Sequence, residues 1–184
     1  VEVGDVYNGL ELLDKAVEHY RRAVEIAPKS GNNAAIYTSL AAAYKKLDDR
    51  PHYIEYARLY IDAIAKRQGE LPDTEKGLRS FYRAEVLQSA GDEDKAYQAF
   101  EEAARLFSDP FRLSDIAFKH AEYHAKRENK SEAASFADQS ASLVPDQGWR
   151  QRDVGDLFSA LDMMNKALEY YQRALELAKT PETR

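Results

Sequence analysis

His120 and His124 stand one helical turn apart with Glu122 between them, the one spacing in the chain that suggests a metal centre. Two neutral imidazoles at that separation can share a face of a helix and ligate zinc. A zinc-protease pattern, however, places glutamate directly after the first histidine, and here Glu122 projects roughly 160–200° away around the helix. No third ligand accompanies the pair, so the expectation is two histidines packed inside the fold and no metal. His19, beside Tyr20, and His52, after Pro51, read as surface or boundary residues. Glycines occur singly, without a phosphate-cradling loop. Serines, histidines and aspartates lack the strand–turn–helix setting of a nucleophile. Glu101-Glu102 and Asp92-Glu93-Asp94 read as solvated helix faces. The expectation is a non-enzyme, with no catalytic residue and no cofactor.

Composition narrows the classes further. The 184 residues are 44% hydrophobic and 32% charged, enough apolar matter for a packed core under a large solvated surface. Lys and Arg number 26 against 32 Asp and Glu, a net charge of -6, which argues against nucleic acid, whose non-specific binding depends on clustered cations. No apolar run reaches the eighteen or so residues of a spanning helix, so direct membrane insertion is not expected. The absence of cysteine excludes disulfides and thiolate metal sites but chooses no compartment; cytoplasm and bacterial periplasm both fit.

The elements that would position any site are helices. From Leu12 to Ala27 apolar residues recur at three- and four-residue spacings, and Pro28 is expected to stop the helix because it cannot donate to the ladder. The same phrase returns near the end of the chain. Val3-Gly4-Asp5-Val6-Tyr7, followed by Ala16, Tyr20 and Ala23, matches Val154-Gly155-Asp156-Leu157-Phe158, followed by Ala167, Tyr171 and Ala174. Agreement between segments so far apart marks internal repetition. Three weaker copies lie between. Aligning Ala16, Tyr56, Ala96, Ala133 and Ala167 gives intervals of 40, 40, 37 and 34 residues, with the extra length placed at Asp48-Asp49-Arg50 and at Gly69–Asp73.

On these motifs the chain resembles the tetratricopeptide repeat (TPR) family over nearly its whole length. The family's small first-helix residue falls on Gly4, Ala41, Ala84, Ala121 and Gly155. Departures are Tyr56 where alanine is usual, with Ala57 beside it, Arg83 and His120 in place of leucine, and a fourth repeat lightly filled by Ala137 and Ser140; the second and fourth repeats are the expected soft points. The resemblance implies an all-α, right-handed superhelical solenoid of about five antiparallel helix-turn-helix repeats, near 1–31, 32–70, 71–110, 111–146 and 147–180, making one array over 1–184. Neither end shows a polar capping helix, so a fragment of a longer solenoid, or end-to-end self-association, is expected. The final Thr180–Arg184 reads as a polar stop.

In that family the first helices line a concave groove where partners lie. The matching positions give a partner-binding groove of Asp5, Phe81, Glu85, Phe118, Glu122, Trp149, Arg152 and Asp156, an acidic ladder with aromatic anchors. The implied role is a scaffold that binds a protein or peptide, with basic partners favoured. Two alternatives stand beside it: an envelope module guiding a cationic polysaccharide during export, and a substrate-recruiting arm of a larger enzyme. The Lys, Asn and Arg cradle that grips chaperone tails has Val1, Asp5, Ser39, Leu78 and Tyr82 in its place, so that subtype is not expected.

Overall fold

The computed structural model describes residues 1–26 and 33–179, so Pro28 and the Thr180–Arg184 stop lie outside the described residues. Among them are ten α-helices and no strand: α1 (Glu2–Gly9), α2 (Leu13–Ile26), α3 (Asn33–Lys46), α4 (Arg50–Ala65), α5 (Asp73–Ser89), α6 (Glu93–Ala104), α7 (Pro110–Lys126), α8 (Lys130–Leu143), α9 (Gly148–Ala160) and α10 (Met164–Lys179). The fold is all-α and built of helical repeats. The chain divides into two compact units, Val1–Ala99 and Phe100–Arg184, with the boundary inside α6.

Five turns close the odd helices onto the even ones, and all five have one construction. Glu11, Asp48, Gly91, Glu128 and Asp162 each take a positive φ between 57° and 83°. The N–H of the following residue, Leu12, Asp49, Asp92, Asn129 or Met163, donates to a carbonyl five residues back at 2.9–3.0 Å. This left-handed closure satisfies carbonyls that a helix end would otherwise strand. Asp49 also caps α4 by accepting from the His52 N–H at 3.2 Å. Pro51 sits in the first turn there, where its missing donor costs nothing.

The turns supply a register that corrects one alignment. Measured between the left-handed residues, the repeats are 37, 43, 37 and 34 residues apart. The turn at Leu47–Asp49 is therefore no longer than the others, and the added length lies beyond it, in α4, in the connection that follows and in α5. Tyr53, not Tyr56, occupies the place of Ala16, and it is buried. Tyr56 lies farther out, stacked on Tyr44 at 5.5 Å and tilted against Tyr37 at 6.2 Å.

Packing within hairpins depends on the small residues. Gly4, Ala41, Ala84, Ala121 and Gly155 are all buried. A Cβ on Gly4 would lie 2.6 Å from the Tyr20 ring, and one on Gly155 would lie 2.7 Å from the Tyr171 ring. The ring of the second helix thus rests on the backbone of the first. In the fourth hairpin small residues close the gap differently. Ser114 and Ser140 are buried, and each hydroxyl donates to the other's backbone carbonyl at 2.8 Å. The second unit's core joins Ala121, Ala134, Ala137 and Ala141 to Val154, Phe158, Ala167 and Tyr170.

Candidate functional site

In the second unit α7 and α9 bring polar and aromatic groups together around Arg150. Its guanidinium lies 4.8 Å from the Phe118 ring centroid and 4.5 Å from that of Trp149. It donates to Asp115 in a short ion pair and lies 3.8 Å from Asp153. Arg150 is buried, and burial pulls its pKa below the usual arginine value against the opposing effect of the two aspartates. Asp153 is held above the usual carboxylate range by burial, which outweighs its arginine neighbours.

The rim of this cluster is more open. Trp149 is 42% exposed, and its indole N–H donates to the Gln147 side chain at 3.0 Å. Glu122 accepts from Lys119 at 3.0 Å, while Arg152 lies 3.5 Å from Asp153. Asp156 accepts from the Tyr171 hydroxyl at 2.7 Å. Phe118, Glu122, Trp149, Arg152 and Asp156 therefore all belong to α7 and α9, the first helices of the two hairpins of one unit.

The first unit holds the other three residues of the sequence-based groove. Asp5 on α1 accepts from the Tyr20 hydroxyl at 2.8 Å, the counterpart of Asp156 with Tyr171. Phe81 on α5 is buried, with the Lys45 ammonium 5.8 Å above its ring. Glu85 is buried too and ion-paired to Arg50 at 2.8 Å. The four acids expected to form an open ladder thus each have an internal partner. Aspartate occurs where a tyrosine hydroxyl reaches back across the hairpin; glutamate is paired instead with an arginine of the preceding helix, Arg50, or a lysine of its own helix, Lys119.

Sequence reasoning named Trp149 and Arg152 but missed Arg150, Asp115 and Asp153. The signal lay in Arg150 and Asp153, one turn apart on α9, but an arginine between Trp149 and Gln151 gives no sign of burial. His120 and His124 share a packing role. The His120 ring meets Phe136 edge-on at 5.1 Å, and His124 stacks on the same phenylalanine at 5.5 Å. No group of three or more metal-ligating side chains occurs among the described residues. No helix among them is long and apolar enough to cross a membrane.

Comparison with known proteins agrees with the hairpin architecture. Models of the tetratricopeptide repeat match residues 1–30 and 154–184. No curated protein matches the chain in sequence. Among solved structures it is similar to TTC0263, a thermophilic TPR protein of Thermus thermophilus. The TM-score is 0.66 at 16% identity, over 97% of this chain and 89% of that one. It is similar to MamA, with TM-score 0.59 and 16% identity over 97% and 96% of the two chains. It is also similar to YrrB, described as a TPR protein with an unusual peptide-binding site, with TM-score 0.54 and 15% identity over 96% and 84%. With five like-built hairpins and small residues where paired helices touch, the chain shares the fold of solved TPR proteins, and its first and last hairpins are tetratricopeptide repeats.

Proposed function

We propose that the protein is a non-enzymatic interaction scaffold that takes an extended peptide segment of a partner protein along α7 and α9. The observation that carries this reading is Trp149, a large aromatic left 42% exposed beside a buried arginine. Arg150 holds the indole from one side and is itself held by Asp115 and Asp153, so the anchor is fixed before a ligand arrives. Pre-ordering of this kind lowers the entropic cost of binding, and exposed aromatics of fixed geometry are the residues that dominate interface energetics. The likeness to YrrB, a peptide-binding repeat protein by its description, favours the same class of ligand.

Preference for a basic segment rests on Glu122, Asp153 and Asp156, set against Lys119 and Arg152 on the same helices. Because the acids are already matched by internal partners, charge acts on encounter and selection more than on affinity. Trp149 is the sole tryptophan, so its emission reports on the site directly. Titration with paired peptides, one lysine-rich and one with glutamate at the same positions, should shift the emission for the lysine-rich form. Trp149→Ala should weaken binding at least about tenfold, the loss expected of an interface anchor. Unchanged emission together with unchanged affinity in Trp149→Ala would remove this site from the reading. A shift with cationic polysaccharide and none with peptide would point to polymer guidance instead.

A further inference from the structure

The acids around the peptide site of the second unit differ in what holds them. Asp115 is paired to Arg150, and Asp153 lies between Arg150 at 3.8 Å and Arg152 at 3.5 Å. Glu122 is paired to Lys119 at 3.0 Å. Each of these carboxylates is balanced by a cation of the same site. Asp156 is held differently. Its Oδ1 accepts from the Tyr171 hydroxyl at 2.7 Å, and among the described residues no cation pairs with it. A neutral phenol leaves the negative charge unbalanced, and Asp156 is exposed.

Trp149 is constrained in the opposite sense. One face of its ring is closed by the Arg150 guanidinium 4.5 Å away, and its one donor, the indole N–H, is engaged by Gln147 at 3.0 Å. What remains open is a ring face with no hydrogen bond to offer. Such a face takes a flat apolar side chain, whereas a second cation there would compete with Arg150 for the same π density. Trp149 and Asp156 are seven residues apart on α9. At 1.5 Å and 100° per residue, that is about 10.5 Å along the axis and within about 20° of one direction. The apolar point and the unbalanced carboxylate thus lie in line on one helix, and Asp153 between them is already shielded by its arginines.

We infer that α9 recognises two side chains of one extended segment, a flat apolar residue on Trp149 and a lysine on Asp156, three residues apart; this rests on the peptide reading above. The spacing follows from chain geometry. A polyproline-type segment rises about 3.1 Å per residue and returns to the same side every third residue, so i and i+3 lie about 9.3 Å apart on one face. The flexible lysine stem spans the remainder. A β-type segment places same-face residues about 6.7 or 13.4 Å apart and fits less well. Lysine suits the site better than arginine because one carboxylate oxygen is left, enough for a point charge, whereas bidentate pairing with a guanidinium needs both.

Short peptides of alanine and glycine carrying one phenylalanine and one lysine test this, titrated against the emission of Trp149, the sole tryptophan. With the two residues three apart, in one or the other order, binding should be at least about threefold tighter than with the two adjacent, the size of one exposed ion pair. Glutamine in place of the lysine should lose the same factor, and arginine there should gain nothing. Asp156→Asn keeps an acceptor for Tyr171 and should erase the preference for lysine over glutamine while the phenylalanine still binds. Tyr171→Phe removes the hydroxyl and leaves the charge, so the preference should survive; were Asp156 needed only to hold Tyr171, the two variants would act alike. With Trp149→Ala still weakening binding, three results would each overturn this inference and leave the peptide site standing: a lysine preference that persists in Asp156→Asn, affinity indifferent to spacing, or tighter binding of the arginine peptide. No change of emission with any of the peptides would remove the site and this inference together.

Discussion

Two tyrosines rest on two glycines, and the surroundings of each pair set what a methyl group would do there. Tyr20 is buried and tied to Asp5, so its ring cannot withdraw when a Cβ is placed 2.6 Å away on Gly4. Tyr171 is partly exposed and can swing outward from Gly155 at the expense of its bond to Asp156. Gly→Ala in a helix interior gains about 1 kcal/mol from backbone entropy, and overpacking a fixed site costs about 1–3 kcal/mol. Gly4→Ala should therefore destabilise the first hairpin, while Gly155→Ala should be close to neutral; urea unfolding of the two variants checks the difference. The glycines, and the aspartates beside them, could be read from the sequence because the motif occurs twice. What the aspartates do could not, since the tyrosine that engages each lies fifteen residues away on another helix. Arg150 escaped for a related reason: burial of a cation depends on which rings the neighbouring helix presents.

At the scale of the element, the turn is the recurring object within this chain, and four of its five left-handed positions carry a side chain. Glu11, Asp48, Glu128 and Asp162 hold φ values of 57–62° that glycine adopts without strain. Glu128→Gly should raise stability by up to about 1 kcal/mol, and Gly91→Ala should lower it by roughly 1–2 kcal/mol. Thermal melts of the two variants would move in opposite directions. The sequence could not reveal this regularity, because acidic residues at a left-handed position look like any polar turn. That is also why Tyr56 looked like the partner of Ala16: without the turn register, the tyrosine-rich stretch from Tyr53 to Tyr60 offers several alignments, and composition does not choose among them. Helix existence and the small-residue positions were legible because both follow from a 3.6-residue period; the phase of the second hairpin was not.

For the whole molecule, tyrosine is the residue through which pH acts at the alkaline end. Burial, with the hydrogen bond and charge of Asp5, pushes Tyr20 up to about 12 from its ordinary 10.0. Burial, with the bond to Asp138, raises Tyr170 in the same direction. The unfolded chain releases these protons first, so their contribution is whole below pH 10 and is lost as pH climbs through the folded-state values. Urea midpoints should fall between pH 10 and 12, with the appearance of phenolate absorbance, and Tyr20→Phe should flatten part of that fall. The inter-helix contacts inside each unit run mainly between consecutive helices. Such an architecture confines damage, since stability adds up from hairpins and their immediate neighbours. Hydrogen exchange on Gly4→Ala should show faster amides in α1 and α2 and unchanged protection in α8 and α9.

The unequal spacing of the left-handed turns has a consequence for how the chain can be altered. The added length in the longest interval is shared between longer helices and the connection from Lys66 to Pro72, and none falls on the turns themselves. Growth is accommodated in that connection because nothing in a hairpin counts those residues, whereas one residue added at Leu47–Asp49 would rotate α4 by about 100° and carry Tyr53 out of its place. A tag, a protease site or a reporter loop belongs between Lys66 and Pro72, and the same graft at any of the five turns would cost the hairpin that carries it.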